Sequence, residues 1–164
     1  MMMRSWRTVL LVVLSVALGA AVCSQFGPRS AQAEGKLFKF IKSDQMRNAK
    51  TVAVNNNGTR FVYITNLTGM KANLSMSEDI GEQAEAAFAS LKCELTAAGL
   101  KRTDVIKLTI YVKNLDLVEG GYILRAAQIY FDHQASPLIT WVGVTSLVLP
   151  NALVEIEALA VARD

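Results

Sequence analysis

Residues 75–112 read SMSEDIGEQAEAAFASLKCELTAAGLKRTDVIKLTIYV, and two periodicities in that stretch decide the fold. Ile80, Ala84, Phe88, Leu91 and Leu95 recur at steps of four, four, three and four, which lays one apolar stripe along a helix. Ser75 and Glu78 have the three-residue spacing of a capping box, and Gly99 supplies the stop at the other end. Glu82, Glu85, Lys92 and Glu94 fall on the remaining faces. From Asp104 the period drops to two. Ile106, Leu108, Ile110 and Val112 point to one side of a strand, and Val105, Lys107, Thr109 and Tyr111 to the other.

Working outward, residues 51–55 (TVAVN) and 60–65 (RFVYIT) alternate in the same way around Asn56-Asn57-Gly58. Asn-Gly between two strand patterns predicts a hairpin. Residues 34–50 are otherwise irregular, with a short strand over 37–41. Beyond the central strand, Asn114-Leu115-Asp116 turns the chain and Gly120-Gly121 precede a second helix over 122–133. Ile123, Ala126, Ala127 and Tyr130 make its buried face. Pro137 breaks the next loop, and residues 140–148 and 153–162 form two further strands joined by a tight turn at Pro150-Asn151. The order β-β-α-β-α-β-β predicts an α+β fold, a mixed sheet with both helices on one face. Tyr63, Tyr111, Trp141 and several aliphatics are expected on the other face, which self-association would cover.

The first 33 residues have a different plan. Arg4 and Arg7 precede an uncharged run over 8–22, and Ala31-Gln32-Ala33 presents small residues at the −3 and −1 positions of a signal-peptidase site. The run is short of the ~20 residues of a membrane span. The expectation is an exported, periplasmic or secreted protein: a signal peptide over 1–33 cleaved after Ala33, an N-terminal extension over 34–50 and one domain over 51–164. An uncleaved signal anchor is the alternative. Cleavage removes Cys23 and leaves Cys93 as a lone cysteine on the first helix, where packing is its expected role. The net charge of +3 owes two of its positive charges to Arg4 and Arg7, so the remaining domain is near neutral. Lys36, Lys39, Lys42, Arg47 and Lys50 are not interleaved with stacking aromatics, which argues against nucleic acid as a partner. One histidine, His133, and no His/Cys cluster give no metal-ligand spacing, and no glycine-rich phosphate loop is present. Neither a metal nor an organic cofactor is expected. Asn57, Asn66 and Asn73 open N-x-[ST] sequons, which read as chance matches in a bacterial protein.

Several stretches agree in order and spacing with one family. Ala97-Ala98-Gly99-Leu100, Asp104-Val105-Ile106-Lys107-Leu108-Thr109, Asn114-Leu115-Asp116, Trp141-Val142-Gly143-Val144, Leu149-Pro150 and residues 153–160 (LVEIEALA) resemble the reactive-intermediate deaminase (RidA, older name YjgF) family. The resemblance covers about residues 51–162. It implies a chorismate-mutase-like fold and a homotrimer with small-molecule pockets in the clefts between subunits. It also implies hydrolysis of reactive enamines and imines to the keto acid and ammonia without a cofactor.

The family's carboxylate clamp, Pro-Ala-Arg-Ser/Thr, corresponds to Pro137-Leu138-Ile139-Thr140, so Ile139 stands at the arginine position. Arginine donates two parallel hydrogen bonds to a carboxylate, and isoleucine donates none. The resemblance assigns Glu155 to positioning or activating the attacking water; a structural glutamate at a subunit contact is the other reading. Thr140 keeps the hydroxyl beside the lost arginine. Trp141 could wall an apolar pocket or pack as an interface aromatic, and Thr65-Asn66 fall where the family lines its pocket. Arg60 and Arg125 are the candidates for a relocated clamp. The expected ligand is therefore apolar or an uncharged imine or enamine. Three outcomes stay open: deamination lost or redirected, an active deaminase with altered substrate, or a non-catalytic interaction trimer.

Overall fold

A computed structural model describes residues 38–41, 51–71, 73–115, 117–132 and 137–163. The leader over 1–33, the stretch 42–50 and His133 lie outside these residues. Six strands, β1 (Phe38–Ile41), β2 (Thr51–Asn56), β3 (Thr59–Thr68), β4 (Val105–Lys113), β5 (Leu138–Val144) and β6 (Val154–Arg163), form one sheet in the order β1-β2-β3-β6-β4-β5. Every pairing is antiparallel except β4 with β5. Helices α1 (Ile80–Ala97) and α2 (Leu117–Tyr130) cover one face, sharing a buried core with β3, β4 and β6. The α+β class and the mixed sheet with two helices on one side are as expected. β1 extends that sheet from within the segment set aside as an N-terminal extension. No helix among the described residues is long and apolar enough to cross a membrane.

The hairpin between β2 and β3 turns on Asn57 (φ 48°) and Gly58 (φ 75°), two successive left-handed residues. That conformation matches the twist of the flanking strands. Helix α1 ends as expected: Gly99 (φ 71°) accepts the left-handed position, its N–H reaches Thr96 O, and Leu100 N–H reaches Leu95 O at 2.8 Å. Its start differs. Asp79, not Ser75, is the N-cap, and its Oδ1 accepts from Glu82 N–H at 2.8 Å. Ser75 instead donates to Asn73 Oδ1. Glu94 is buried rather than on an outer face, because Thr51 Oγ1 donates to it at 2.9 Å.

Three other expectations shift. The alternation of β4 breaks at an irregularity between Val105 and Lys107, so Val105 is buried and Ile106 exposed. Helix α2 starts at Leu117 and contains Gly120 and Gly121 instead of following them, although Ile123, Ala126 and Ala127 are buried as the periodicity requires. Finally, β5 and β6 are not a hairpin pair; they flank β4 on opposite sides, and β5 ends at Val144. A parallel neighbour for β4 needs a crossover, which the segment carrying α2 supplies. Cys93, expected as a lone packing cysteine, is disulfide-bonded.

Candidate functional site

β6 runs through the middle of the sheet and sorts its side chains by alternation. Val154, Ile156, Ala158 and Ala160 are buried beneath the helices, and Glu155, Glu157 and Leu159 are half-buried on the opposite, open face. Two carboxylates therefore stand two residues apart on one side of an interior strand. Such placement costs solvation unless polar partners are supplied.

The partners come from both neighbouring strands. In the β3–β6 pairing, Ile64 lies opposite Ala158 and Leu67 opposite Ile156, so Thr65 and Asn66 together stand against Glu157. This is a β-bulge, and Asn66 takes its extra residue's left-handed conformation (φ 57°). The bulge sets the Thr65 hydroxyl to donate to Glu157 Oε1 at 3.0 Å. From β4, the Tyr111 hydroxyl donates to Glu157 Oε2 at 3.1 Å. Both oxygens of Glu157 are thus engaged. Tyr111 lies across from Glu155 in the strand register and leans diagonally to Glu157.

The electrostatics follow this arrangement. Burial pushes the Glu155 carboxyl above its ordinary range, and the Glu157 charge pushes it the same way. The Tyr111 phenol is raised by its hydrogen bond to Glu157, with burial and the charges of Glu157 and Glu155 adding to it. A carboxyl that holds its proton more tightly is better suited to general acid–base work near neutral pH.

The residues singled out from sequence divide between two faces. Thr65, Asn66 and Glu155 meet around the bulge of β3 and its partner β6. Thr140 lies opposite Thr109 on β5, and Thr109 opposite Glu157, so Thr140 shares the open face one strand further out. Ile139 and Trp141 lie opposite Leu108 and Ile110 and pack against the core beneath the helices. The sheet therefore separates Ile139 and Trp141 from Glu155 and Thr140 within one chain. It also removes Trp141 from the open-face aromatics, leaving Tyr63 and Tyr111 there. Neither candidate arginine turns toward the carboxylates. Arg60 Nη1 donates to Ala98 O at the end of α1, 2.7 Å away, and Arg125 is exposed on α2.

Sequence reading did not single out Glu157 and Tyr111 as site residues. Their signal was present in the pattern: Glu157 follows Glu155 at strand period, and Tyr111 sits on the non-core side of β4. The diagonal contact joining them depends on β6 inserting between β3 and β4, which the order of elements along the chain does not disclose.

An α+β sheet with two covering helices and a carboxylate pair on its bare face defines the class. The family described as Endoribonuclease L-PSP matches residues 48–162, and the chain belongs to this RidA-type family. It is 31% identical over 103 residues to the 2-iminobutanoate/2-iminopropanoate deaminase of Dermatophagoides farinae, covering 61% of this chain and 77% of that protein. It is 34% identical to the protein of the same name from Salmonella typhimurium, over 54% of this chain and 69% of the relative. A RutC family protein of Aquifex aeolicus is 35% identical over 66% of this chain and 85% of its own length. Among solved structures, the YjgF gene product of E. coli aligns with a TM-score of 0.64 at 23% identity, over 76% of this chain and 99% of that one. E. coli TdcF with bound serine gives the same TM-score and identity over 76% and 98%.

Proposed function

We propose that this protein hydrolyses small imines or enamines that carry no carboxylate, with Glu155 as the proton-transferring group. The observation that carries this reading is the open-face pair Glu155–Glu157 on the central strand, toward which neither Arg60 nor Arg125 turns. An anionic substrate would meet two carboxylates on this face, and the family's clamp position, Ile139, supplies no guanidinium to offset them. An uncharged imine meets no such repulsion, and its protonated form is favoured by the negative charge. Water adds to the imine carbon as Glu155 takes a proton from it. Glu155 returns that proton to the nitrogen of the resulting carbinolamine, and ammonia leaves as the hydroxyl proton passes back to the Glu155 carboxylate, giving a carbonyl product. The relatives named as iminobutanoate/iminopropanoate deaminases support the reaction class, and the departure at Ile139 supports the change of substrate. Ribonuclease action, the other activity in the family's description, fits the site less well, because paired carboxylates repel a phosphate backbone.

The test is ammonia release by the purified full chain, comparing 2-iminopropanoate with a neutral ketimine of similar size. Turnover of the neutral imine that disappears in Glu155→Gln supports the proposal. Preferential turnover of the iminocarboxylate, or an unchanged rate in Glu155→Gln, overturns it.

Export by the leader over 1–33 belongs to the same proposal. The small residues of Ala31-Gln32-Ala33 support cleavage after Ala33, with an uncleaved anchor as the alternative. N-terminal sequencing of the protein from its native host distinguishes a start at Glu34 from a start upstream of Cys23.

A further inference from the structure

We infer that Glu157 is a positioning residue for Glu155: clamped by Tyr111 and Thr65, it is the fixed carboxylate beside which Glu155 transfers its proton, and it sets the pH at which Glu155 changes role. The catalytic part of this inference rests on the proposed hydrolase reading; the electrostatic relation stands on geometry.

The two carboxylates differ in what holds them. Glu157 accepts one hydroxyl on each oxygen, from Thr65 at 3.0 Å and from Tyr111 at 3.1 Å. Two donors, one on each oxygen, fix the side chain's orientation. Glu155 lies on the same side of the same strand, about 6.6 Å along it at strand rise. At that separation, at the boundary of protein and water, a unit charge is felt directly. The pair is thereby divided into a carboxylate anchored on both oxygens and a neighbour free to exchange its proton, the division of labour that paired carboxylates need. Burial and the Glu157 charge act on the Glu155 carboxyl in the same direction.

The surrounding charges do not cancel this relation. On the open face of β4, Lys113 turns toward the loop and donates to Pro150 O at 3.4 Å, and Lys107 lies opposite Leu159, nearer the far end of β6. Tyr63 on β3 also pairs with Leu159, and Arg163 is at the end of β6. β5 contributes no charged side chain. The neutral Thr68 stands across from Glu155 on the β3 side. The β-bulge gains a purpose from this arrangement. Without the extra residue Asn66, the strand would continue in simple register; with it, Thr65 and Asn66 are presented together against Glu157.

The experiment is a carboxyl-carbon NMR titration of the full chain labelled at glutamate, with the Glu155 and Glu157 signals assigned by loss in Glu155→Gln and Glu157→Gln. In Glu157→Gln the midpoint of Glu155 is expected to move to lower pH, by more than the spread of repeat titrations. Added salt, which screens the Glu157 charge, is expected to move the midpoint of Glu155 in the parent the same way. An unmoved Glu155 midpoint in Glu157→Gln overturns the inference. If that variant does not fold, a Glu155 midpoint in the parent that salt leaves unmoved overturns it. A purely structural Glu157 would alter melting and leave the Glu155 midpoint in place. These readouts need no turnover, so failure of imine hydrolysis would defeat the proposed function and leave the titration result standing.

Discussion

Glu155 carries a conflict between stability and chemistry that a single substitution can expose. Its carboxyl is raised by burial and then by Glu157, so the folded protein binds this proton more tightly than the unfolded chain does. The sign follows from that order. The contribution is fully present below the unfolded carboxylate range and is lost as pH rises through the higher folded midpoint. Glu155→Gln removes the titrating group, so the variant's melting temperature is expected to gain on the parent's as pH rises from acid toward neutral. Parallel melting scans across that range check it; curves that keep a constant separation would show that Glu155 feels no net penalty. Glu155 was legible from sequence because the stretch 153–160 stands out as an acid-bearing strand in a resemblance spanning most of the chain. Its neighbour was not. Glu157 matters through Thr65 and Tyr111, whose contacts span 92 and 46 residues of sequence.

Elements show the same division between what is local and what is not. The hairpin at Asn57-Gly58 and the stop at Gly99 were readable because a left-handed residue announces itself locally. The start of α1 was misread because Ser75-x-x-Glu78 imitates a capping box four residues too early, while Asp79 makes the actual hydrogen bond. Asp79→Ala is expected to cost about 1 kcal/mol in urea unfolding. Ser75→Ala, which loses only an exposed contact with Asn73, should stay within about 0.5 kcal/mol of the parent. Equal costs would mean that the helix is not capped where the hydrogen bond lies. Deeper in the element, Gln83 is fully buried, donates to Ser77 O and Asn151 O, and accepts from Leu153 N–H. It ties α1 to the loop that launches β6, and hence to the placement of Glu155. Gly69 lets this side chain in: a Cβ there would lie 2.5–2.7 Å from Gln83 Cβ, Cγ and Cα. Because backbone is among the atoms met, Gly69→Ala is expected to destabilise the protein by about 1–3 kcal/mol. Gln83→Leu, which removes the partner of three part-buried backbone groups, should cost about 1–3 kcal/mol. Nothing in the spacing of α1 marks Gln83 as structural, since glutamine at a helix position ordinarily reads as surface.

At the scale of the whole molecule the bare face of the sheet is the dominant fact. Tyr63 is 53% exposed and Leu138 76%, and both lie on the face that the helices leave uncovered, with half-buried Phe61, Leu159 and Val142 between and beside them. Apolar area of this kind on a central sheet is a reason for association, and the resemblance drawn from sequence implies three copies. The site bears on the same point. Ile139 and Trp141 lie on the other side of the sheet from Glu155, so a cleft that combines the clamp position with the carboxylate cannot be closed within one chain. We therefore expect a trimer in sedimentation equilibrium. Tyr63→Glu places a third carboxylate on the face that would meet its own copies, repelling Glu157 and Glu155 as well as losing apolar contact. That variant is expected to sediment at the mass of one chain and to melt at a lower temperature. The parent's melting temperature should rise with protein concentration, because assembly stabilises only the folded chain, whereas the variant's should not depend on it. A parent of single-chain mass with a concentration-independent melt would place the open face in water, and the site would then have to work with the groups of one chain alone.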